Sequence, residues 1–302
     1  MNIVLYGAGA SFGSGKVEPA VPPLGNDLFD VLSRLFPTSW GKIPKDLSLV
    51  FRDNFEHGME QIIQSNYSAV NLLMQKMAIF FADFNLSDNG NNLYIEFFET
   101  LKEKSLLKNT VISTLNYECL LELAANRVGL SVSYFREPDQ DENAASIWKI
   151  HGSCNFQLTG IQVGRGVIIN SPNVLFDGNI KRLSPNQVRN VYSDENALSP
   201  CMCLYAKNKP VTIAPSIIAE KQSIWSEKTI EAKTICVIGV RPNPEDNHIW
   251  EPIAKSSGKF VFIGSEEDFN MWTEKYRNSK ENLYLGNRWD QCFNDIFDCL
   301  SC

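Results

Sequence analysis

Long apolar runs, basic clusters and paired metal-type cysteines are what this 302-residue chain lacks, and each gap closes off a class of protein. No stretch approaches the roughly 18 consecutive apolar residues that span a bilayer, so no membrane partner is expected. With 28 Lys and Arg against 35 Asp and Glu the formal charge is −7. Sequence-independent nucleic-acid binding rests on cations that neutralise phosphates, so direct nucleic-acid binding is not expected either. The N-terminus shows no basic n-region or small-residue cleavage site, a pattern that predicts a cytoplasmic protein. Eight cysteines in 302 residues do not resemble a small disulfide scaffold. Cys119 and Cys236 sit in apolar surroundings and read as reduced core residues. Cys299-Leu-Ser-Cys302 has metal-like spacing but no second such pair, and Cys201 and Cys203 stand one residue apart. A four-ligand zinc site usually needs both pairs, so no metal is expected.

What is there is an ordinary globular composition, 44% apolar and 21% charged, arranged as alternating strand and helix patterns. The fold class predicted is α/β, a Rossmann-like, mostly parallel sheet with a helical insertion module. Residues 1–302 read as a single domain, with the core at about 1–35 and 108–302 and the helical insertion at about 40–107. Strands are expected at 2–6, 110–115, 130–135, 146–150, 211–213, 234–239, 259–263 and 282–285. Helices are expected at 118–128, 221–231, 246–256, 266–277 and 289–299. Within the insertion, Val70, Leu73, Met74, Met77, Phe80, Phe81 and Phe84 line one broad helical face, which reads as core. Residues 155–209 are rich in Asn, Ser, Pro and Gly, and read as an irregular insertion.

The most informative segment is Met1-Asn-Ile-Val-Leu-Tyr-Gly-Ala-Gly-Ala-Ser11, an apolar strand running into a glycine-rich turn. Gly7 and Gly9 allow a tight turn and a close approach to a ligand. A helix starting near Ser11 would add free N–H groups and a positive dipole end, the ingredients of a pyrophosphate cradle. Two familiar fingerprints nearly fit and fail. G-x-G-x-x-G needs Gly at position 12, where Phe12 stands, and an acidic residue closing a second strand about 20 positions on. The NTPase phosphate loop needs four residues between its glycines and a hydroxyl after Lys, but Gly9 and Gly15 enclose five and Val17 follows Lys16.

Four further strand ends carry polar or flexible residues: Thr114-Leu-Asn-Tyr-Glu118, His151-Gly-Ser153, Ile238-Gly-Val-Arg-Pro242 and Ile263-Gly-Ser265. In open α/β sheets the ligand crevice lies beyond the carboxyl ends of the strands, so these could converge on one pocket. Singly they are dull. Asn116 reads as the N-cap of the next helix, His151 as a locally satisfied histidine, and Arg241 as a surface charge.

Together and in this order these segments resemble the sirtuins, with their Gly-Ala-Gly-x-Ser turn, Thr-x-Asn and His-Gly motifs and late Gly-Thr-Ser strand end. Pro215, Lys221 and Trp225 resemble the broader bacterial branch. The chain departs from the family in three places. The zinc ribbon of two Cys-x-x-Cys pairs is missing, Pro22-Pro-Leu-Gly-Asn-Asp27 replaces the Gly-Ile-Pro-Asp-Phe-Arg loop, and Gly239-Val-Arg241 replaces Gly-Thr-Ser. Loss of the ribbon removes one wall of the acyl-peptide groove, and the remainder resembles the anti-phage sirtuin-like branch that depletes NAD. The resemblance implies NAD as substrate, no metal, and hydrolysis of the nicotinamide–ribose bond by Asn116 and His151. It implies that Gly7, Ala8, Gly9, Ala10, Ser11 and Thr114 hold the dinucleotide, with backbone N–H groups near Gly9, Ala10 and Ser11 on the pyrophosphate. Gly239 and the Gly264-Ser265 turn would flank the adenosine half, and Arg241 would contact a phosphate. Partners implied are a homo-oligomer and a separate regulatory protein such as an ATPase or phage sensor. Protein deacylation, ADP-ribosyl transfer and non-catalytic NAD or ADP-ribose sensing are the competing readings.

Overall fold

The structure is a computed structural model that describes residues 1–135, 143–161, 164, 166–206 and 209–301. Strand β1 (Asn2–Tyr6) leads into the short α1 (Ala8–Phe12) and β2 (Val17–Glu18). Helices α2 (Gly25–Leu35), α3 (Lys45–Asp53), α4 (Phe55–Ser65) and α5 (Val70–Ala82) follow, then β3 (Asn85–Leu86) and α6 (Leu93–Glu103). The middle of the chain forms β4 (Thr110–Thr114), α7 (Leu120–Arg127), β5 (Ser131–Tyr134), β6 (Ala144–Lys149), β7 (Phe156–Leu158), β8 (Ile180–Arg182) and α8 (Pro185–Tyr192). The last third alternates through α9 (Pro215–Glu231), β9 (Thr234–Ile238), α10 (Asn247–Lys255), β10 (Lys259–Ile263), α11 (Glu266–Tyr276), β11 (Asn282–Gly286) and α12 (Phe293–Ser301).

Seven strands form one sheet in the order β11-β10-β9-β1-β4-β6-β5, and every pairing in it is parallel. This is the α/β, Rossmann-like architecture the alternation predicts. Side chains alternate across the sheet, so Ile3 and Leu5 join Trp225, Ile249, Trp250 and Phe269 on one face. Val4 and Tyr6 join Leu28, Leu120 and Phe297 on the other. Burial of each such aliphatic side chain contributes about 1.5–3 kcal/mol, which is why β1 is fixed in the middle of the sheet. The strand order reverses there: the chain builds outward through β4 on one side and β9 on the other. Tyr6 is in register with both Thr114 and Ile238, so the turns starting at Gly7, Leu115 and Gly239 leave the sheet side by side.

The 46–107 stretch is helical as expected, interrupted by β3, which pairs antiparallel with β2. Its apolar face is core: Leu73, Met74, Met77, Phe80, Phe81 and Phe84 are all buried. Helix α5 is covered on a second side because α8 packs against it. That contact corrects the view of 155–209 as merely irregular. Ser184 and Gln187 form a reciprocal capping box at the start of α8, with Pro185 in its first turn.

Two elements differ most from expectation. Residues 211–213 form no strand: Pro210 and Pro215 bracket them, and only a single bridge joins Ile213 to Phe176. Helix α9 starts at Pro215 rather than 221, since proline suits the first helical turn. Cys299 is buried in α12, and Cys302 lies outside the described residues.

Candidate functional site

The side-by-side turns bound a cavity of about 1360 Å³ at the carboxyl ends of β1, β4, β9 and β10. Gly7, Ala8, Gly9, Asn116, His151, Gly239, Arg241, Gly264 and Ser265 all line it. Helices α2 and α4 close it from the insertion side with Leu24, Gly25, Asp27 and the Asn54-Phe55-Glu56 turn.

One wall is backbone against backbone. The Gly7 N–H donates to Ile238 O at 3.0 Å, and the Gly9 N–H donates to Gly239 O at 3.1 Å. A Cβ on Gly239, whose φ is +65°, would stand 2.2 Å from Ala10 N, so only glycine fits. The wall engages two of the N–H groups expected to face a pyrophosphate. The Gly9 N–H is used by Gly239, and the Ala10 N–H donates to Gly7 O at 3.0 Å. Ala10, Ser11 and Thr114 are buried behind the wall rather than on it.

Ser11 instead organises the site from behind. Its hydroxyl donates to Glu118 Oε1 at 2.6 Å and lies 2.8 Å from Tyr94 Oη. It also accepts from Asn116 Nδ2 at 2.9 Å, and the same amide donates to Gly7 O at 3.0 Å. Both Asn116 amide hydrogens are thereby engaged, leaving Oδ1 as the acceptor of this cavity-lining side chain. The helix-cap alternative for Asn116 fails for a specific reason: Glu118 Oε2 accepts from the Leu120 N–H at 2.6 Å. Thr114 Oγ1 accepts the Asn116 backbone N–H at 3.0 Å and sets the turn.

His151 closes the other side, just past β6. It is buried, its carbonyl accepts the Cys203 N–H at 2.8 Å, and its Nε2 lies 2.8 Å from Nε2 of His248. Burial, with His248 and Lys209 nearby, pushes the His151 ring well below its usual pKa, so it is neutral at neutral pH. Burial and then Lys209 lower His248 to about 4. Burial raises Asp246 to about 6, against the opposing pull of Lys209. The Lys209 ammonium is ion-paired with Glu56 and lies 3.9 Å from Asp246 Oδ1. Glu56, Lys209, Asp246 and His248 were not legible as site residues. His248 carried a weak signal as one of three histidines, and the other three carried none.

The adenosine-side and Arg241 expectations are placed as follows. Ser265 caps α11, its hydroxyl accepting the Asp268 N–H at 3.3 Å. Gly264 O accepts the Tyr284 hydroxyl at 3.1 Å. Arg241 is exposed, with Nε 3.3 Å from Asp268 Oδ2. Cys201 and Cys203 are fully buried among apolar neighbours, and burial lifts the Cys201 thiol to about 12.

The chain matches no protein-family model and no curated protein sequence. Among solved structures it is similar to a Sir2 homolog in complex with NAD, at a TM-score of 0.47 and 15% identity, over 99% of this chain and 87% of that one. It is also similar to a mutant Sir2 homologue in complex with ADP-ribose, at a TM-score of 0.36 and 12% identity, over 87% of this chain and 79% of that one.

Proposed function

We propose that this chain is a sirtuin-like NAD glycohydrolase, cleaving the nicotinamide–ribose bond to give nicotinamide and ADP-ribose. The observation that carries the reading is the shared cavity: the Asn116 carboxamide, anchored to the Gly7 turn, and the neutral His151 imidazole line the same space as Gly239, Gly264 and Ser265. Its volume of about 1360 Å³ exceeds the roughly 300–1,000 Å³ of drug-sized sites and leaves room for a dinucleotide.

In the reaction the glycosidic C–N bond breaks and its electron pair neutralises the pyridinium, so the leaving group needs no general acid. The barrier lies in forming an oxocarbenium-like ribose and delivering water to its anomeric carbon. Asn116 Oδ1 accepts a hydrogen bond from a ribose hydroxyl or from that water. His151 takes the proton, a contribution of typically a hundred- to ten-thousandfold. The sum is NAD and water giving ADP-ribose, nicotinamide and one proton.

Under this reading the chain acts as the toxic effector of a bacterial anti-phage system. An unregulated NAD hydrolase would poison its own cell, so activity is held in check by self-assembly or by a separate ATPase or phage-sensing protein. Incubation with NAD, with and without an acylated peptide, followed by chromatography of nicotinamide and ADP-ribose, tests the activity. Turnover without peptide is expected. Strict dependence on peptide would move the assignment to deacylation, and tight binding without products would move it to sensing. An inactive monomer at every concentration, with and without candidate partners, would remove the regulatory part.

A further inference from the structure

His151, Asp246 and His248 each offer one ligand atom, and those atoms lie within 4.8 Å of one another. Two imidazoles and one carboxylate suit a divalent transition ion such as zinc or cobalt rather than magnesium, which prefers an all-oxygen shell. The two Nε2 atoms are 2.8 Å apart, whereas two nitrogens at about 2.0–2.1 Å from a tetrahedral ion stand roughly 3.3 Å apart. A small rotation of either ring supplies the difference. Asp246 adds a second, independent sign. It is 8% exposed, and its Oδ1 is buried without a hydrogen-bond partner, the nearest cation being Lys209 at 3.9 Å. Lys209 is shared between Glu56 and Asp246, two carboxylates to one ammonium, so the cluster keeps one net negative charge for a dication. The cluster lies between two cavities, since His151 and Asp246 line the main one. His248 lines an outer cavity of about 320 Å³ between α9 and α10, with Gln222, Ser226 and Glu251.

We propose that His151, His248 and Asp246 form a binding site for a divalent transition-metal ion. The two rings now share one proton between their Nε2 atoms. On binding, that proton moves to the donor ring's Nδ1, and both Nε2 lone pairs go to the metal. The occupied site takes the lone pair that His151 needs as a base, so metal acts as a brake on turnover. That consequence rests on the proposed NAD hydrolysis, whereas the site itself does not.

The test is titration of the full chain with Co²⁺, read by visible absorption, and competition for Zn²⁺ against a chromophoric chelator. One ion per chain is expected, with His248→Asn and Asp246→Asn each weakening binding at least tenfold while retaining the wild-type circular dichroism spectrum. Absence of binding, or binding unchanged in both folded variants, overturns the site. Should either variant fail to fold, histidine modification by diethyl pyrocarbonate on the wild type decides: protection of His151 and His248 by Zn²⁺ supports the site, and unaltered labelling overturns it. Where NAD turnover is measurable, Zn²⁺ should suppress it and EDTA restore it. Binding without suppression leaves the site standing and removes the brake.

Discussion

Along the β1–α1 turn the cavity is bounded by backbone packed on backbone, whereas beside His151 it is bounded by charged and titratable side chains from four separate segments. The first wall owes its shape to missing Cβ atoms at Gly7, Gly9 and Gly239 and admits no adjustment. The second is held by the Glu56–Lys209 ion pair and the His151–His248 contact, so its shape depends on protonation and on ions. Under the proposed function, one side would fix where the dinucleotide sits and the other would set when chemistry happens there. If that division is right, substitutions on the two walls should fail differently: stability first on one, turnover first on the other.

The largest effect is expected from Gly239→Ala. The new Cβ meets Ala10 N at 2.2 Å and Gly9 C at 2.6 Å, both backbone atoms that cannot rotate away. Strain at a positive φ and overpacking each cost about 1–3 kcal/mol, so a loss of about 3 kcal/mol or more is expected in urea unfolding. Gly129→Ala is the control. Its φ is also positive, at +78°, but nothing lies within 4 Å of the added Cβ, and about 1 kcal/mol is expected. Equal losses in the two variants would show that the β1–β9 interlock does not define this wall.

Next come the two residues proposed to act on the ribose. Asn116→Ala and His151→Ala should each lower NAD turnover at least a hundredfold, while the melting curve shows the fold retained. Asn116→Asp is the sharper variant, because it keeps an acceptor but cannot donate to Gly7 O or the Ser11 hydroxyl. Turnover near the wild-type level in Asn116→Asp would mean that the anchoring bonds are dispensable.

A smaller effect is expected from pH. His151 and His248 are held below their ordinary pKa of about 6.5, so the unfolded chain binds more protons than the folded one as pH drops. Stability is therefore full above about pH 6.5 and falls as pH is lowered toward the folded value of His248, about 4. Asp246, raised to about 6, acts in the opposite sense over the same range, and Lys209 and Glu56 also face the pair. In chelator-treated protein, His248→Asn should therefore lose less melting temperature than wild type between pH 7 and 5. Identical slopes would place the acid sensitivity elsewhere.

The same division explains what could be read from the chain beforehand. A wall made of absent side chains is visible in sequence, since Gly7, Gly9 and Gly239 each follow an apolar strand and little else calls for glycine there. The parallel sheet was legible for a similar reason: β1, β4, β9 and β10 are short apolar runs with polar exits. The engagement of the Gly9 N–H was not legible because its acceptor, Gly239 O, lies 230 residues away, whereas the Ala10 N–H closes locally on Gly7 O. The side-chain wall was not legible because its members share no spacing. His248 meets His151 across 97 positions. Asp246 precedes a helix like any surface acid, and Lys209 sits in a polar stretch with no periodicity. Residues 211–213 have the composition of a strand, but their bounding prolines leave them room for only one bridge.

The smallest effect is expected at Arg241, the cation that lines the backbone wall. Its side chain is 82% exposed and its only described ion pair is with Asp268, an arrangement worth about 0–1 kcal/mol. Arg241→Ala should therefore leave the urea midpoint within error of wild type. If the guanidinium contacts a phosphate of the bound dinucleotide, the Michaelis constant should rise several-fold at unchanged kcat, the signature of binding lost equally from ground and transition states. A fall in kcat instead would transfer Arg241 from ligand binding to the chemistry of the opposite wall, and no change in either constant would remove it from the site.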